Sequence, residues 1–286
     1  MESKKGTLYI VGTPIGNLND ITLRAIETLK SVDVILAEDT RQTLKLLNHF
    51  GIQKFLISYH RHNEDEKIKK VVEFLDSGKN LSLVSDAGMP IISDPGQNLI
   101  RYLINNNYNV VTIPGVTALI TAIVKSGFDS TRFTFEGFLS VNKKQRKTRL
   151  ESLKNETRTM IFYEAPHKIL ATLKDMYETF GNRNICIARE LTKIHEEYLH
   201  TDFKEAIDRI EKYGIKGEIV LIIEGKDESI LKDEEEEKVK NISSVDLVKK
   251  YISEGMNKKD AIKEVAKLKG VNKNVVYQEC IKENIW

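Results

Sequence analysis

Leu81-Ser82-Leu83-Val84-Ser85-Asp86-Ala87-Gly88-Met89-Pro90-Ile91-Ile92-Ser93-Asp94-Pro95-Gly96 sets a short apolar run against a long turn-rich one. A plain connection between two elements usually takes ~2–6 residues. Here residues 85–96 hold two aspartates, two glycines and two prolines. Two other segments repeat the pattern: Gly12-Thr13-Pro14-Ile15-Gly16-Asn17 follows Leu8–Val11, and Pro114-Gly115-Val116-Thr117-Ala118 follows Val110–Ile113. The chain has 5 prolines, and Pro14, Pro90, Pro95 and Pro114 all fall in these segments. The fifth is Pro166, in Tyr163-Glu164-Ala165-Pro166-His167. Proline fixes φ and removes a donor, so it marks rigid backbone outside the ladders. Open α/β sheets bind ligands at the carboxyl ends of their strands. Rigid loops after several strands therefore predict one preformed small-molecule cleft.

Outward from these segments, strand and helix patterns alternate. Strands are expected at Leu8–Val11, Val32–Ala37, Phe55–Ser58, Leu81–Val84 and Val110–Ile113. Helical spacing falls between them, as in Ile68, Val71, Val72 and Leu75 of a helix running from about Asn63 to Asp76. Such alternation implies βαβ units and a mainly parallel sheet. After a helix over Thr117–Lys125 the alternation restarts at Phe133–Phe138, with an antiparallel part expected near Glu196–Thr201. The expected division is an N-terminal α/β domain at 1–118, a second α/β domain at 119–228, an acidic linker at 229–240 and a helical tail at 241–286. In the tail, Ser244, Asn257 and Asn272 are placed to cap three short helices. Their glycine-containing turns fit a helix-turn-helix-like unit.

The 286 residues are 41% hydrophobic with a net charge of +2, so no global basic field points to nucleic acid. Locally the charge is uneven. Lys143, Lys144, Arg146, Lys147 and Arg149 have no acid among residues 141–150, and residues 240–286 carry ten lysines against six acids. Five cations beside a cleft suit either a solvated helix face or phosphate contact. No apolar run approaches a membrane span, and Thr7–Val11 is too short for a secretory h-region. Cys186 and Cys280 suit a reducing cytoplasm. They lack metal-site spacing, as do the scattered His49, His60, His62, His195 and His200, so no metal is expected.

The glycine turn at 12–17 matches neither common nucleotide pattern. It has no Gly-Lys-Ser/Thr ending, and Asn17, Leu18 and Asn19 stand where a dinucleotide fingerprint needs its third glycine. It can be a structural turn or a place where backbone meets ligand. Asp86, at a strand end, can accept from ribose hydroxyls or a cationic group. Asp94 reads best as the cap of the next helix. Asp39 and Arg41 lie just past the second strand, and Glu164 and His167 just past a strand of the second domain. A carboxylate or neutral imidazole there could accept a proton, and Arg41 could hold a phosphate. Asp39 and Arg41 could equally pair with each other or cap the helix at Thr40, and a local structural role is as open for His167.

Leu8–Leu18, Ala37-Glu38-Asp39-Thr40-Arg41, Ser85–Gly96, Phe135-Glu136-Gly137-Phe138-Leu139 and Tyr163–His167 together resemble the tetrapyrrole methylase superfamily. The likeness is to its branch of 16S ribosomal RNA cytidine 2′-O-methyltransferases, and it covers about residues 6–225. It implies two α/β domains with a ligand cleft between them, a homodimer, and S-adenosylmethionine as donor. It implies a ribose 2′-oxygen of a cytidine in the decoding region of the 30S subunit's 16S RNA as acceptor. On the same resemblance the donor pocket draws on Gly12, Thr13, Pro14, Asp86, Gly88, Met89, Pro114, Gly115, Thr117, Ala118 and Tyr163. Two rivals stand beside this reading. A methyltransferase acting on a small tetrapyrrole-type acceptor would not need the basic 141–150 segment or the lysine-rich tail. A non-catalytic RNA-binding or ribosome-assembly factor would bind the donor without transferring methyl.

Overall fold

The computed structural model describes residues 5–60 and 64–283. The expected helix start at Asn63, and His62, lie outside those residues. Residues 1–225 form one compact unit and residues 226–286 a second.

The first sheet is wholly parallel. Strands β1 (Thr7–Val11), β2 (Val34–Ala37), β3 (Phe55–Ser58), β4 (Leu81–Val84) and β5 (Asn109–Ile113) lie in the order β3-β2-β4-β1-β5. Every residue of β2 and β4 is buried, as parallel strands covered on both faces must be. Helices α1 (Leu23–Ser31), α2 (Thr40–His49), α3 (Glu64–Asp76) and α4 (Gln97–Asn105) connect them. The Thr22 side chain caps α1 by accepting from the Ala25 amide, and Asp39 caps α2 by accepting from the Arg41 amide. The cap of α4 is Gly96 at φ 127°, not Asp94. The 85–96 run ends in a left-handed residue that only glycine adopts without strain, and Asp94 lines the cavity described below.

Two glycines set the approach of β1 to β5. A Cβ on Gly12 would lie 2.7 Å from the Gly115 Cα, and one on Gly115 would lie 2.8 Å from the Gly12 Cα. Neither loop tolerates a side chain at this crossing.

The second sheet contains β6 (Phe133–Phe138), β7 (Thr159–Glu164), β8 (Asn184–Arg189), β9 (Glu197–Asp202) and β10 (Ile219–Ile223), in the order β6-β7-β10-β8-β9. Only β6 and β7 are parallel; β10 runs antiparallel to both β7 and β8, and β8 to β9. The antiparallel part is larger than the sequence pattern suggests. The last strand, five buried aliphatics, inserts in the middle of the sheet. Helices α6 (Lys143–Leu153), α7 (Ile169–Phe180) and α8 (Phe203–Tyr213) supply Leu150, Leu173 and Ala206 to the core on one face. Helix α5 (Ala118–Ser126) buries Leu119, Ala122 and Ile123 against Ile161, Ala188 and Val220 on the other.

The described residues of the second unit form four helices: α9 (Glu228–Asn241), α10 (Ser244–Ser253), α11 (Lys258–Lys269) and α12 (Lys273–Lys282). The acidic run expected as a linker is the helix α9. Glu and Lys are strong helix formers, and a charge run reports solvation rather than absence of structure. Ser243, not Ser244, caps α10, while Asn257 and Asn272 cap α11 and α12. Val245, Val248, Ala261, Val265, Val276 and Cys280 make its own core. No helix of the described residues is long and apolar enough to cross a membrane.

Candidate active site

Loops from the carboxyl ends of β2, β4 and β5 meet the ends of β6 and β7 and the start of β10. They enclose a cavity of about 440 Å³, lined from one side by Glu38, Asp86, Met89, Asp94 and Thr117, and from the other by Phe138, Tyr163, Glu164, Leu191 and Val220. Small-molecule sites generally occupy about 300–1,000 Å³.

The 85–96 run is held in place by backbone. The Thr13 amide donates to the Gly88 carbonyl at 2.9 Å, and the Gly88 amide donates to the Thr13 carbonyl at 3.1 Å. The buried Thr13 hydroxyl donates to the Ser85 carbonyl at 3.1 Å. Four residues of the run are left-handed: Gly88 (φ 82°), Ile91 (78°), Ser93 (70°) and Gly96 (127°). A β-branched residue there costs on the order of 1–3 kcal/mol. Ile91 is held by packing against the core of the first sheet. Strain of this kind collects at ligand sites because the surroundings over-determine the loop.

The carboxyls of Asp86, in the cavity lining, and Asp39, beside it, are shifted in opposite directions. Desolvation pushes the Asp86 carboxyl above its ordinary value, although its Oδ1 accepts from the Asp39 amide at 3.1 Å. Asp39 goes the other way. Hydrogen bonds from the Arg41 side chain and amide hold its carboxyl down at about 2. It stays ionised at neutral pH and is a weak proton acceptor. Asp39 and Arg41 thus pair with each other, cap α2 and do not line the cavity.

In the second half, the Tyr163 hydroxyl accepts from the Leu119 amide at 3.2 Å, and burial pushes its pKa up. Its ring meets Phe135 and Phe138 edge-on, with centroids 4.8 and 5.6 Å away. Glu164 is 5% exposed. Its Oε1 accepts from the Ala165 amide at 2.8 Å and its Oε2 from the Thr172 hydroxyl at 2.6 Å, tying the end of β7 to α7. His167 is exposed and is not among the lining residues.

Of the residues expected at the donor pocket, Asp86, Gly88, Met89, Thr117, Ala118 and Tyr163 line the cavity. Gly12, Thr13, Pro14, Pro114 and Gly115 do not; Gly12 and Gly115 pack against each other, and Thr13 is spent on Ser85 and Gly88. Sequence reasoning missed Glu38, Asp94, Phe138, Leu191 and Val220 as walls. Glu38 and Phe138 lie in the segments that carry the resemblance. Leu191 and Val220 have no local signal, because the placement of β10 brings them in.

The basic stretch on α6 is largely neutralised. The Arg146 guanidinium pairs with Asp175 at 2.6 Å, the two side chains being 12% and 9% exposed, so this residue faces inward and its charge is already matched. Lys147 pairs with Glu178 at 2.7 Å, and Arg149 with Glu136. The missing acids come from β6 and α7, distant in sequence. Among the described residues, Lys143 and Lys144 make no ion pair.

Residues 7–207 match the family of tetrapyrrole (corrin/porphyrin) methylases. The ribosomal RNA small subunit methyltransferase I of Halalkalibacterium halodurans is 49% identical, over 96% of this chain and 94% of its own length. That of Bacillus subtilis is 46% identical over 96% and 94%. That of Thermotoga maritima is 48% identical over 78% of this chain and 100% of its own. Among solved structures, a cobalt precorrin-4 methyltransferase superposes with a TM-score of 0.59 at 17% identity, over 76% of this chain and 94% of that one. A uroporphyrin-III C-methyltransferase from Thermus thermophilus, in complex with S-adenosylhomocysteine, gives 0.56 at 17%, over 77% and 97%. These distant structures share the arrangement of two α/β sheets described above. The chain therefore belongs to the tetrapyrrole methylase family and, within it, to the ribosomal RNA small subunit methyltransferase I group.

Proposed function

We propose that this protein is a cytoplasmic enzyme that transfers a methyl group from S-adenosylmethionine to the 2′-oxygen of a cytidine ribose in the decoding region of 16S ribosomal RNA. The observation that carries the donor half is the 440 Å³ cavity, with apolar walls at Ile92, Leu191 and Val220 and carboxylates at Asp86 and Asp94. An adenosyl group needs flat apolar contact, and its ribose hydroxyls and amino-acid ammonium need acceptors, so this lining fits it. When bound, the donor supplies an electrophilic methyl on a positively charged sulfur. Asp86, Asp94 and the Tyr163 wall would hold and orient it. The acceptor half rests on the ribosomal RNA small subunit methyltransferase I relatives at 46–49% identity.

An alcohol is a weak nucleophile at neutral pH, so its proton must leave as the bond to carbon forms. Of Asp39, Arg41, Glu164 and His167, only Glu164 lines the cavity. It is the residue proposed to take or steer that proton. Glu164→Gln is expected to slow single-turnover transfer at least tenfold while both binding constants stay nearly unchanged. An unchanged rate would assign catalysis to alignment alone, with water taking the proton.

Lys143 and Lys144 are proposed phosphate contacts. A homodimer is proposed through Ile120 and Val124, one turn apart on α5, and Ile194, which are 46%, 77% and 98% exposed. Sedimentation of Val124→Glu is expected to show a monomer; an unchanged dimer mass would move the interface elsewhere. The proposed function as a whole is tested by labelled methyl transfer into 30S subunits that lack the modification.

A further inference from the structure

The helical tail holds a groove of about 590 Å³ between the first turns of α11 and α12. Lys259 and Lys263 stand one turn apart on α11, and Lys273 and Tyr277 one turn apart on α12, and all four line the groove. All four side chains are exposed. None of the three ammonium groups pairs with an acid among the described residues, in contrast to Arg146, Lys147 and Arg149 of α6. The one carboxylate in the lining is Asp260, which accepts from the Asn257 side-chain amide at 2.6 Å. Its amide in turn donates to the Asn257 Oδ1 at 3.0 Å. That carboxylate is committed to the helix cap. The groove is left with like charges facing one another and an aromatic face beside them.

A protein that arranges unpaired lysines on both banks of a groove is suited to a polyanion that threads it. A single small anion would engage one or two of these groups and leave Tyr277 unused. A single-stranded or looped RNA engages all of them: successive phosphates on the lysines and an unstacked base on the tyrosine ring. We propose that the α11–α12 groove is an RNA-binding site that takes the sugar-phosphate backbone of an unpaired segment, with Tyr277 as its base platform. This rests on the reading of ribosomal RNA as the acceptor, and adds the place in the chain where that RNA is gripped outside the methyl-transfer cleft.

The test uses the full chain and a short single-stranded RNA as probe, with binding measured across a salt series. For a single strand, each phosphate neutralised by a lysine adds about 0.7 to the steepness of log affinity against log salt. The triple variant Lys259→Ala, Lys263→Ala, Lys273→Ala is therefore expected to flatten the slope by about 2. Tyr277→Ala is expected to weaken binding about tenfold at fixed salt with little change of slope, and Tyr277→Phe to restore it. Calorimetric titration with S-adenosylmethionine should be the same in all variants, which reports an intact catalytic unit. A triple variant with the wild-type slope and affinity, or a wild-type chain that does not bind the RNA, would overturn the assignment. Methyl transfer by the wild-type chain is read separately. RNA binding that depends on the groove but is accompanied by no transfer removes the proposed activity and leaves the groove standing. Transfer with an unaltered slope in the triple variant does the reverse.

Discussion

Arg146→Ala is expected to destabilise the protein by about 3–5 kcal/mol, read as a shift of the urea midpoint at constant slope. The guanidinium and the Asp175 carboxylate are 12% and 9% exposed, and they meet at 2.6 Å between α6 and α7. The Arg146 Nη1 also donates to the Ser140 carbonyl at 3.2 Å and the Val141 carbonyl at 3.3 Å, so one side chain also fixes the approach to α6. Removing it leaves a buried carboxylate without its hydrogen-bonded cation. Replacing both partners by apolar residues of similar volume, Arg146→Met with Asp175→Leu, should cost far less, because no buried charge is then stranded. Lys143→Ala on the same helix is the surface control and should stay within about 0.5 kcal/mol of wild type. A loss below about 1 kcal/mol for Arg146→Ala would mean that water screens the pair, and would return Arg146 to the set of possible RNA contacts.

Asp86→Ala is expected to weaken donor binding by about 1.5–3 kcal/mol, roughly 10- to 150-fold, through loss of a charged acceptor. The carboxylate stands at the carboxyl end of β4 in the cavity lining, oriented by the Asp39 amide at 3.1 Å. The same residue gives a pH signature. Burial raises its pKa above the usual carboxylate value, so the proton returns at a higher pH than for an ordinary aspartate. Donor affinity should therefore be full at neutral pH and fall as pH drops through that raised value. In Asp86→Asn this limb should vanish. Calorimetry at several pH values measures both effects. Wild-type affinity in Asp86→Ala would place the donor's polar contacts on Asp94 or Glu38 instead.

The parallel sheet was legible because short apolar runs alternate with helical spacing, three of them followed by turn-rich segments, and β2 and β4 are buried on both faces. The second sheet was legible in its elements but not in its order. Ile219–Ile223 reads as a buried strand, and nothing in five aliphatic residues says that it enters antiparallel between β7 and β8. For the same reason Val220 and Leu191 could not be foreseen as cleft walls. The 85–96 run announced the site. Its cap was misplaced because aspartate is a stronger cap former than glycine in general. Here the backbone arrives at Gly96 with φ 127°, which selects glycine. The α6 cations looked unneutralised because their acids, Glu136, Asp175 and Glu178, come from other elements. Local charge counts cannot see partners that the fold delivers.

Methylation of a 16S ribosomal RNA ribose in the cleft is tested most directly by transfer of labelled methyl from S-adenosylmethionine into 30S subunits from a strain lacking the activity. Nuclease digestion and mass spectrometry then identify the product nucleosides. One labelled nucleoside is expected, 2′-O-methylcytidine, mapping to the decoding region, with its loss or marked reduction in Asp86→Ala. Label on a base rather than a ribose, or no transfer to 30S subunits by a wild-type chain that binds the donor, would contradict the proposed activity.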